Sequence, residues 1–346
     1  MRLSPQEAAF IRQLRVNPES NEFLKTLNAK GIDPRTVRQY WDKDKRYSIQ
    51  VRPEQEDPLK IFDSIFSDLK EYSPKFEKIK RTPSVDPHLL IIDPADIHVG
   101  KLASTAETGT RYDIQIAVDQ VNQGVNGILS KAYGFNIEKV MFVIGNDCLH
   151  VDNAKRTTTS GTPQDTDGMW HEAFIAAKEM YVKAIELILP YSDVEVVFNP
   201  SNHDYTSGFM LAQTIAAYYR NHPNVKFDVG ISHRKYTRYG SNMIATSHGD
   251  GAKLDQTPLL MATEQPEMWN DCPMRYIYLH HIHHKQTHKF MSGKDYIGVT
   301  AEFLRTPSPS DSWHHRNGYV GAKKAIEGFI HSKEEGQVAR LTHCVG

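Results

Sequence analysis

Side chains that bind metal ions recur directly after five apolar, strand-like runs of the chain. The run LLII leads into Asp93-Pro-Ala-Asp96-Ile-His98, VMFVI into Gly145-Asn-Asp147, VEVVF into Asn199-Pro-Ser-Asn202-His203-Asp204, NMIAT into Ser247-His248-Gly-Asp250, and RYIYL into His280-His281-Ile-His283-His284. Loops at the carboxyl ends of strands in an open α/β sheet converge on one crevice. We therefore expect these five blocks to meet at one site.

The donor types point to a particular chemistry. Carboxylates and imidazoles with one amide oxygen suit divalent ions such as manganese, iron or zinc. One carboxylate can bridge two ions about 3.5–4 Å apart, a separation suited to phosphoryl chemistry. Each block alone is a weak signal, since a single histidine after a strand is usually structural and the HHIHH run could be a surface tract. The ordered set of five predicts a two-metal phosphoesterase.

At these residues the chain resembles the calcineurin-like metallophosphoesterase superfamily. The pattern of that superfamily is DxH, GD, GNH followed by Asp or Glu, a lone His, and GHxH, and all five blocks occur here in order within about residues 88 to 340. The chain departs from it in three places, where GD is Gly145-Asn146-Asp147, GNH is Ser201-Asn202-His203, and His280 replaces a glycine. The resemblance implies a two-sheet sandwich flanked by helices, with the site at one edge.

The resemblance also implies a role for each ligand. Two divalent ions are expected, manganese first, with Fe²⁺, Zn²⁺ or Mg²⁺ as alternatives. The first ion would be bound by Asp96, His98 and His283, the second by Asn202, His248 and His281, and Asp147 would bridge the two. His203 is implied to protonate the leaving oxygen or to stabilise the transition state. Asp204 could orient His203, or it could be only a loop cap.

Two further stretches are too polar to be simple spacers. In residues 150–168, His150 and Asp152 could line the site while Lys155 and Arg156 contact phosphates. In residues 305–319, Trp313, His314 and Arg316 could stack a base and bind a nucleic-acid backbone. The alternative for Trp313 is a place in the core. Both stretches are similar to those of phage-encoded DNA exonuclease-like members of the superfamily.

The elements that must position these residues follow from the apolar patterns. From residue 88 onward, strands at 88–93, 139–144 and 194–198 alternate with helices at 112–132, 168–189 and 207–220, and the later part is rich in strands. This order predicts an α/β domain with mixed sheets, residues 88–346.

The residues before this domain have a different texture. Residues 1–52 are predicted to be a small, basic, helix-turn-helix-like region, whose third helix starts at Asp33-Pro34 and carries Val37, Tyr40 and Trp41. This region could dock DNA or a protein, or it could be a packing appendage with a solvated charged face. Residues 53–87 are predicted to be a linker and an amphipathic helix.

Composition limits the class of protein. The chain has 346 residues, of which 39% are hydrophobic and 24% charged, which is typical of a globular protein. Cys148, Cys272 and Cys344 are isolated, and no apolar run is long enough for a membrane span. These features favour a cytoplasmic protein with no membrane partner, and they do not indicate an oligomeric state. The resemblance to phage-encoded proteins implies the cytoplasm of a bacterium or a phage-infected host cell.

The leading hypothesis is a DNA phosphodiesterase, either an exonuclease or a DNA-end-processing nuclease, with DNA as its substrate. The net charge of −1 opposes this hypothesis, because nucleases gain affinity from basic surface, so any such surface must be local. The alternative within enzymes is a phosphatase or a small-nucleotide phosphodiesterase. The alternative of a different class is a non-catalytic nucleic-acid-binding scaffold.

Overall fold

The structure of the protein is a computed structural model. It describes residues 29, 40–43, 48–51, 75–83, 85–282, 286–290, 298–318 and 321–346, with the backbone alone at 40–43, 48–51, 286–290, 313 and 314. The chain divides into two compact units, Met1–Ser73 and Pro74–Gly346. The domain boundaries after residues 52 and 87 stay predictions.

In the first unit the structure describes one hairpin. Strand β1 (Tyr40–Lys43) pairs antiparallel with β2 (Ser48–Val51). The prediction that the third helix carries Tyr40 and Trp41 is therefore wrong. Aromatic and β-branched side chains favour strands, and a helix start signal such as Asp-Pro says nothing about how far the helix runs. The other helices predicted before residue 73 lie outside the described residues, Ala29 excepted.

The second unit contains eleven strands and seven helices in the part of the chain that the structure describes. The strands are β3 (His88–Asp93), β4 (Ile137–Gly145), β5 (Asp193–Asn199), β6 (Val225–Asp228), β7 (Arg234–Tyr239), β8 (Asn242–Ser247), β9 (Met274–Leu279), β10 (Gln286–Phe290), β11 (Val299–Phe303), β12 (Ala325–Ser332) and β13 (Gly336–Cys344). The helices are α1 (Thr105–Thr108), α2 (Ile114–Lys131), α3 (Trp170–Ile188), α4 (Tyr205–Tyr218), α5 (Thr257–Glu264), α6 (Pro266–Asp271) and α7 (Ser312–Arg316).

These strands form two mixed sheets. The larger sheet has the order β13-β12-β3-β4-β5-β6, in which β3 to β6 are parallel and β12 runs antiparallel to β3. The smaller sheet has the order β10-β11-β9-β8-β7, in which β8, β9 and β11 are parallel. The carboxyl ends of β3, β4 and β5 therefore share one edge of the larger sheet, and those of β8 and β9 share one edge of the smaller.

The sheets pack face to face, with helices outside them. Along β3, Leu89 and Ile91 belong to a core shared with Tyr278 of the smaller sheet, whereas Leu90 and Ile92 pack with residues of α2 and α3. Alternate side chains of a strand point to opposite faces, so a strand buried on both faces reads as a continuous apolar run. Helices α5 and α6 share a third core with the smaller sheet. The predicted α/β class with mixed sheets is confirmed.

The long helices are amphipathic. Helix α2 begins after Asp113, whose carboxylate accepts a hydrogen bond from the backbone N–H of Ile116 (2.9 Å), and it buries Val121, Val125 and Ile128 along one face. Among the described residues, no helix is both long enough and apolar enough to span a membrane.

Candidate metal centre

The loops that leave the sheet edge are bonded to one another through their backbones. The backbone N–H of Asp96 donates to the carbonyl of Asn146 (2.7 Å), and that of His98 donates to the carbonyl of Asp147 (2.9 Å). The N–H of Asn146 in turn donates to Asn199 at the end of β5 (3.0 Å). Three consecutive parallel strands thus extend their hydrogen bonding into the loops. These bonds fix the backbones of Asp96, His98 and Asp147 relative to one another.

The backbone of these loops is unusual. Among the described residues, seven that are not glycine have positive φ, and five of them lie here: Asp96 (50°), His98 (53°), Asn146 (51°), Asp147 (59°) and His281 (70°). Such conformations cost free energy and cluster at functional sites, where the surroundings hold them. The adjacent Gly145 (φ 88°) must be a glycine, because a Cβ there would collide with the carbonyl of Asn199.

Asp147 lies at the centre of the site. It is buried, and its Oδ2 is 3.2 Å from Nε2 of His248, while the backbone N–H of His203 donates to its Oδ1 (2.9 Å). The same Nε2 of His248 is 2.9 Å from Oδ1 of Asn202. The ring of His281 lies 5.2 Å from that of His248. Carboxylate, imidazole and amide donors from four different loops therefore converge.

Among the described residues, three groups of side chains have donor atoms within 4.8 Å of one another and could hold a metal ion. One consists of imidazoles alone, those of His98, His150 and His203. The other two contain carboxylates: Asp147 with His248 and His281, and Asp96 with His98 and Asp147. Asp147 belongs to both of these groups, as a bridging ligand must, and carboxylates with imidazoles are a donor set that suits a divalent transition-metal ion. His283 lies outside the described residues.

Without a metal ion, Asp147 and His248 stabilise each other's charge. Burial favours the neutral carboxyl, but the charges of His248 and His203 outweigh it and hold the pKa of Asp147 far below its usual range. Burial also lowers the pKa of His248, yet the charge of Asp147 prevails and raises this pKa to about 9. At neutral pH the two form a buried ion pair, and a metal ion bound by His248 would have to displace its proton.

His98, one of the potential metal ligands, also belongs to a cluster of three imidazoles with His150 and His203. Nδ1 of His203 donates to the carbonyl of His150 (3.0 Å), and the ring of His203 lies 4.6 Å from that of His98. Nδ1 of His150 is 3.4 Å from Nδ1 of His98. Burial and the neighbouring charge of His203 hold the pKa of His150 well below its usual value, so its ring is neutral. The bond to His150 engages Nδ1 of His203 and not its Nε2.

Asp204 does not bond to His203 in the described structure. Its Oδ2 accepts from the backbone N–H of Leu149 (2.8 Å) and its Oδ1 from the hydroxyl of Ser201 (2.6 Å), whereas His203 is bonded to His150. Burial and the charge of Asp147 raise the pKa of Asp204 to about 7. The expectation that Asp204 orients His203 stays a prediction; the described hydrogen bonds of its carboxyl group go to the loops on either side.

The 150–168 loop contains both buried and exposed residues. Asp152 accepts hydrogen bonds from the N–H groups of Thr206 (2.9 Å) and Ser207 (2.7 Å), and so caps the first turn of α4. Its carboxylate thus serves a helix whose own N-cap, Asp204, makes no side-chain capping bond. The expectation that Asp152 lines the site stays a prediction. The side chains of Lys155 and Arg156 are exposed.

The 305–319 stretch contains the short helix α7. Trp313 and His314 belong to this helix, but their side chains lie outside the described residues; Arg316 is exposed. The expectation that these three residues contact a substrate stays a prediction.

The sequence analysis did not single out two polar residues, Lys101 and Thr306, that join residues 305–319 to the loop carrying Asp96 and His98. Lys101 is buried, and its Nζ donates to Ser308 Oγ (3.1 Å) and to the carbonyl of Pro309 (2.7 Å). Thr306 Oγ1 donates to the backbone carbonyl of Asp96 (2.6 Å). Burial lowers the pKa of Lys101 from its usual value. Nothing in the local pattern marks either residue, because their partners lie about 200 positions away in the chain.

No family model matches the chain, and no curated protein matches it either.

Proposed function

We propose that the protein is a two-metal phosphodiesterase with a calcineurin-like fold. The observation that carries the proposal is the place of Asp147 in both carboxylate-containing groups of potential ligands, at an edge where loops from two sheets meet. A chance group of acids and histidines on the surface is not expected to share a buried carboxylate with a second such group. The order of the five blocks along the chain supports the same assignment.

Apart from His283, which lies outside the described residues, the proposed ligands lie on loops that converge on Asp147. Asp96 and His98, with His283, would hold one ion; Asn202, His248 and His281 would hold the other; Asp147 would bridge. When bound, two such ions activate water and neutralise charge on the phosphate oxygens. Manganese is the proposed native ion, since mixed carboxylate and imidazole ligation suits it; iron, zinc and magnesium are the alternatives.

His203 is the proposed general acid. Its Nδ1 is engaged by the carbonyl of His150, so the proton that reaches the leaving oxygen must come from Nε2. The ring lies beside His98, a proposed ligand, so a phosphate bound at the proposed centre would lie near this ring. His150 contributes by fixing the ring of His203 through its backbone and by contacting His98 through its own ring.

DNA is the proposed substrate, cleaved from an end. Lys155 and Arg156 are exposed on the loop that follows His150. Arg316 is also exposed, within residues 305–319. Bonds of Lys101 and Thr306 join that stretch to the loop that carries Asp96 and His98. These cations supply local positive charge on a chain whose net charge is −1. A terminal phosphodiester held at the metal centre would bring the adjoining backbone within reach of such cations.

Hydrolysis assays on three substrates test the proposal. Metal-free protein is supplied with manganese and given end-labelled oligonucleotides, bis-p-nitrophenyl phosphate and p-nitrophenyl phosphate. We expect manganese-dependent shortening of the oligonucleotide and cleavage of the diester, both abolished by a chelator and by Asp147→Asn. Cleavage of the monoester alone would instead indicate a phosphatase. Oligonucleotide binding with no hydrolysis under any divalent ion would indicate the non-catalytic scaffold and overturn the proposal.

A further inference from the structure

Two residues to which the superfamily pattern assigns no role lie against each other, close in the chain to proposed metal ligands. Asp93, the first residue of the first block, is the last residue of β3, and His280, which stands where the pattern has a glycine, follows β9. They are 187 positions apart, and Nε2 of His280 is 3.2 Å from Oδ2 of Asp93. Neither side chain has any exposed surface. The structure thus brings two residues without an assigned role into one buried contact.

His280 begins the turn that presents a proposed ligand. The N–H of Ile282 donates to the carbonyl of His280 (2.8 Å), which closes a three-residue turn around His281, whose φ is 70°. A γ-turn with positive φ at its centre is rare and strained, and such a turn persists only where its neighbours hold it. Two bonds hold His280 itself: its N–H donates to the carbonyl of His248 (3.0 Å), and its ring contacts Asp93.

The contact also joins the two sheets at the end where the ligands lie. Asp93 belongs to the larger sheet, and His280 continues a strand of the smaller sheet. A neighbouring bond crosses the same gap, from Nδ2 of Asn199 at the end of β5 to the carbonyl of Thr246 in β8 (3.0 Å). Asp147 is carried by one sheet and His281 by the other. The spacing of these two ligands therefore depends on bonds that cross between the sheets at this end.

Stability does not account for the pair. Since a carboxylate can only accept, Nε2 of His280 is the donor, and Nδ1 of His280 and Oδ1 of Asp93 have no hydrogen-bond partner among the described residues. Buried polar atoms without a partner destabilise a fold. Two apolar side chains of similar volume would avoid this penalty, and such replacements of buried pairs are often neutral or stabilising. The pair has to be explained by what it positions.

We propose that Asp93 and His280 are positioning residues that hold the strained turn of His281 at the distance from Asp147 that a shared pair of metal ions requires. The proposal rests on the metal centre of the proposed function and is independent of the substrate. Partners that orient metal ligands from behind typically change metal affinity 10- to 100-fold when they are removed.

The decisive variant is the double replacement Asp93→Leu/His280→Leu. It removes the bond and leaves no unpaired polar group, so we expect a melting temperature equal to that of the wild type or higher. Calorimetric titration with Mn²⁺ should nevertheless show at least tenfold weaker binding of one ion. A purely structural pair would give the opposite result, with stability lost and affinity kept. Wild-type Mn²⁺ affinity in the double variant would overturn the proposal.

A conservative replacement and a matched control complete the experiment. Asp93→Asn keeps an oxygen that accepts from Nε2 of His280, so Mn²⁺ affinity should stay within about threefold of the wild type, a smaller change than loss of such a partner causes. His331 is also buried and also joins the sheets, through Tyr278 (2.8 Å), but it faces Leu89 near the other end of β3. His331→Leu should lower the melting temperature and leave Mn²⁺ affinity unchanged. Equal loss of affinity in His331→Leu would mean that any loosening between the sheets has this effect, and would overturn the specific role.

The same titrations separate this proposal from the proposed function. A wild-type protein that binds two Mn²⁺ ions but hydrolyses no phosphodiester would contradict the proposed activity and leave the role of Asp93 and His280 standing. A wild type that hydrolyses DNA while the double variant binds Mn²⁺ equally well would contradict the positioning role alone.

Discussion

The turn that carries Asp147 and the turn that carries His281 hold these two proposed metal ligands in different ways. Asp147 is buried; its backbone N–H donates to Ser201 Oγ (2.7 Å) and its carbonyl accepts from His98, while its side chain contacts His203 and His248. His281 is exposed and lies at the centre of a strained three-residue turn. One ligand is pre-organised by its own bonds, and the other depends on the residues behind it. The two should therefore respond differently to substitution.

The largest effect is expected from Asp147→Asn. Asp147 is in both carboxylate-containing groups of potential ligands, so both ions should bind more weakly, and turnover should fall at least about 10³-fold because two ions supply several kcal/mol of transition-state stabilisation. Elemental analysis after dialysis with manganese measures occupancy, and Asp119→Asn on the exposed face of α2 is the control. Two tightly bound ions in Asp147→Asn would show that this residue does not bridge.

His203→Ala tests whether residue 203 can keep its contact with Asp147 while its proposed role in hydrolysis is lost. The bond from residue 203 to Asp147 uses the backbone N–H, so it survives the substitution and both ions should remain. Turnover at saturating metal should fall by about 10²–10⁴, the usual contribution of general-acid catalysis. Single-turnover hydrolysis of a substrate with a poor leaving group measures this, and near-normal rates would remove His203 from the mechanism.

His281→Ala should have a smaller and reversible effect. It removes one ligand of one ion at an exposed position, so we expect about 10- to 100-fold weaker binding of that ion, similar to the loss of an orienting partner. Because Asp147 stays in place, excess manganese should restore most of the activity, which it should not do for Asp147→Asn. Activity measured against manganese concentration distinguishes the two, and failure of rescue would mean that the turns are equally indispensable.

The affinity of the site for manganese should depend on pH through His248, which contacts both Asp147 and His281. The raised pKa of His248, about 9, means that its proton must leave before a metal ion binds. The pKa of Asp147 is lowered, so this carboxylate stays ionised throughout. Manganese affinity should therefore rise by up to about tenfold per pH unit between pH 7 and 9, since one proton is displaced. Calorimetry in two buffers of different ionisation enthalpy measures the proton released, and a flat profile would contradict the assignment of His248 as a ligand.

The smallest effects are expected on the loop that continues from the Asp147 turn. Asp152→Ala should destabilise the fold by about 0.5–2 kcal/mol, the usual range for a lost helix cap. Lys155→Ala and Arg156→Ala should leave the melting temperature unchanged, weaken DNA binding and flatten its dependence on salt. Thermal melting and fluorescence titrations at two salt concentrations distinguish the two kinds of residue. A stable Asp152→Ala variant with impaired DNA binding would support a place for Asp152 in the site.

Strands β3, β4 and β5 and the three long helices of the second unit could be predicted from the sequence, within a few residues. Strands buried on both faces leave continuous apolar runs, and the helices between them keep their helical spacing, so both signals are local. The same property limited the prediction at Tyr40 and Trp41, where a helix start signal was extended into residues that form a strand. Local patterns report that an element exists more reliably than where it begins or ends.

The sequence by itself determined which side chains follow each strand, and so which residues could meet as ligands. Only the tertiary structure decided what each of these residues bonds to: Asp152 caps α4, Asp204 bonds Leu149 and Ser201, and His280 contacts Asp93. A hydrogen bond between residues far apart in the chain leaves no periodicity and no spacing, because its geometry is set by how two sheets and their loops pack. The sequence therefore shows which side chains can bind a metal ion, but it does not show the hydrogen-bond partners of these side chains.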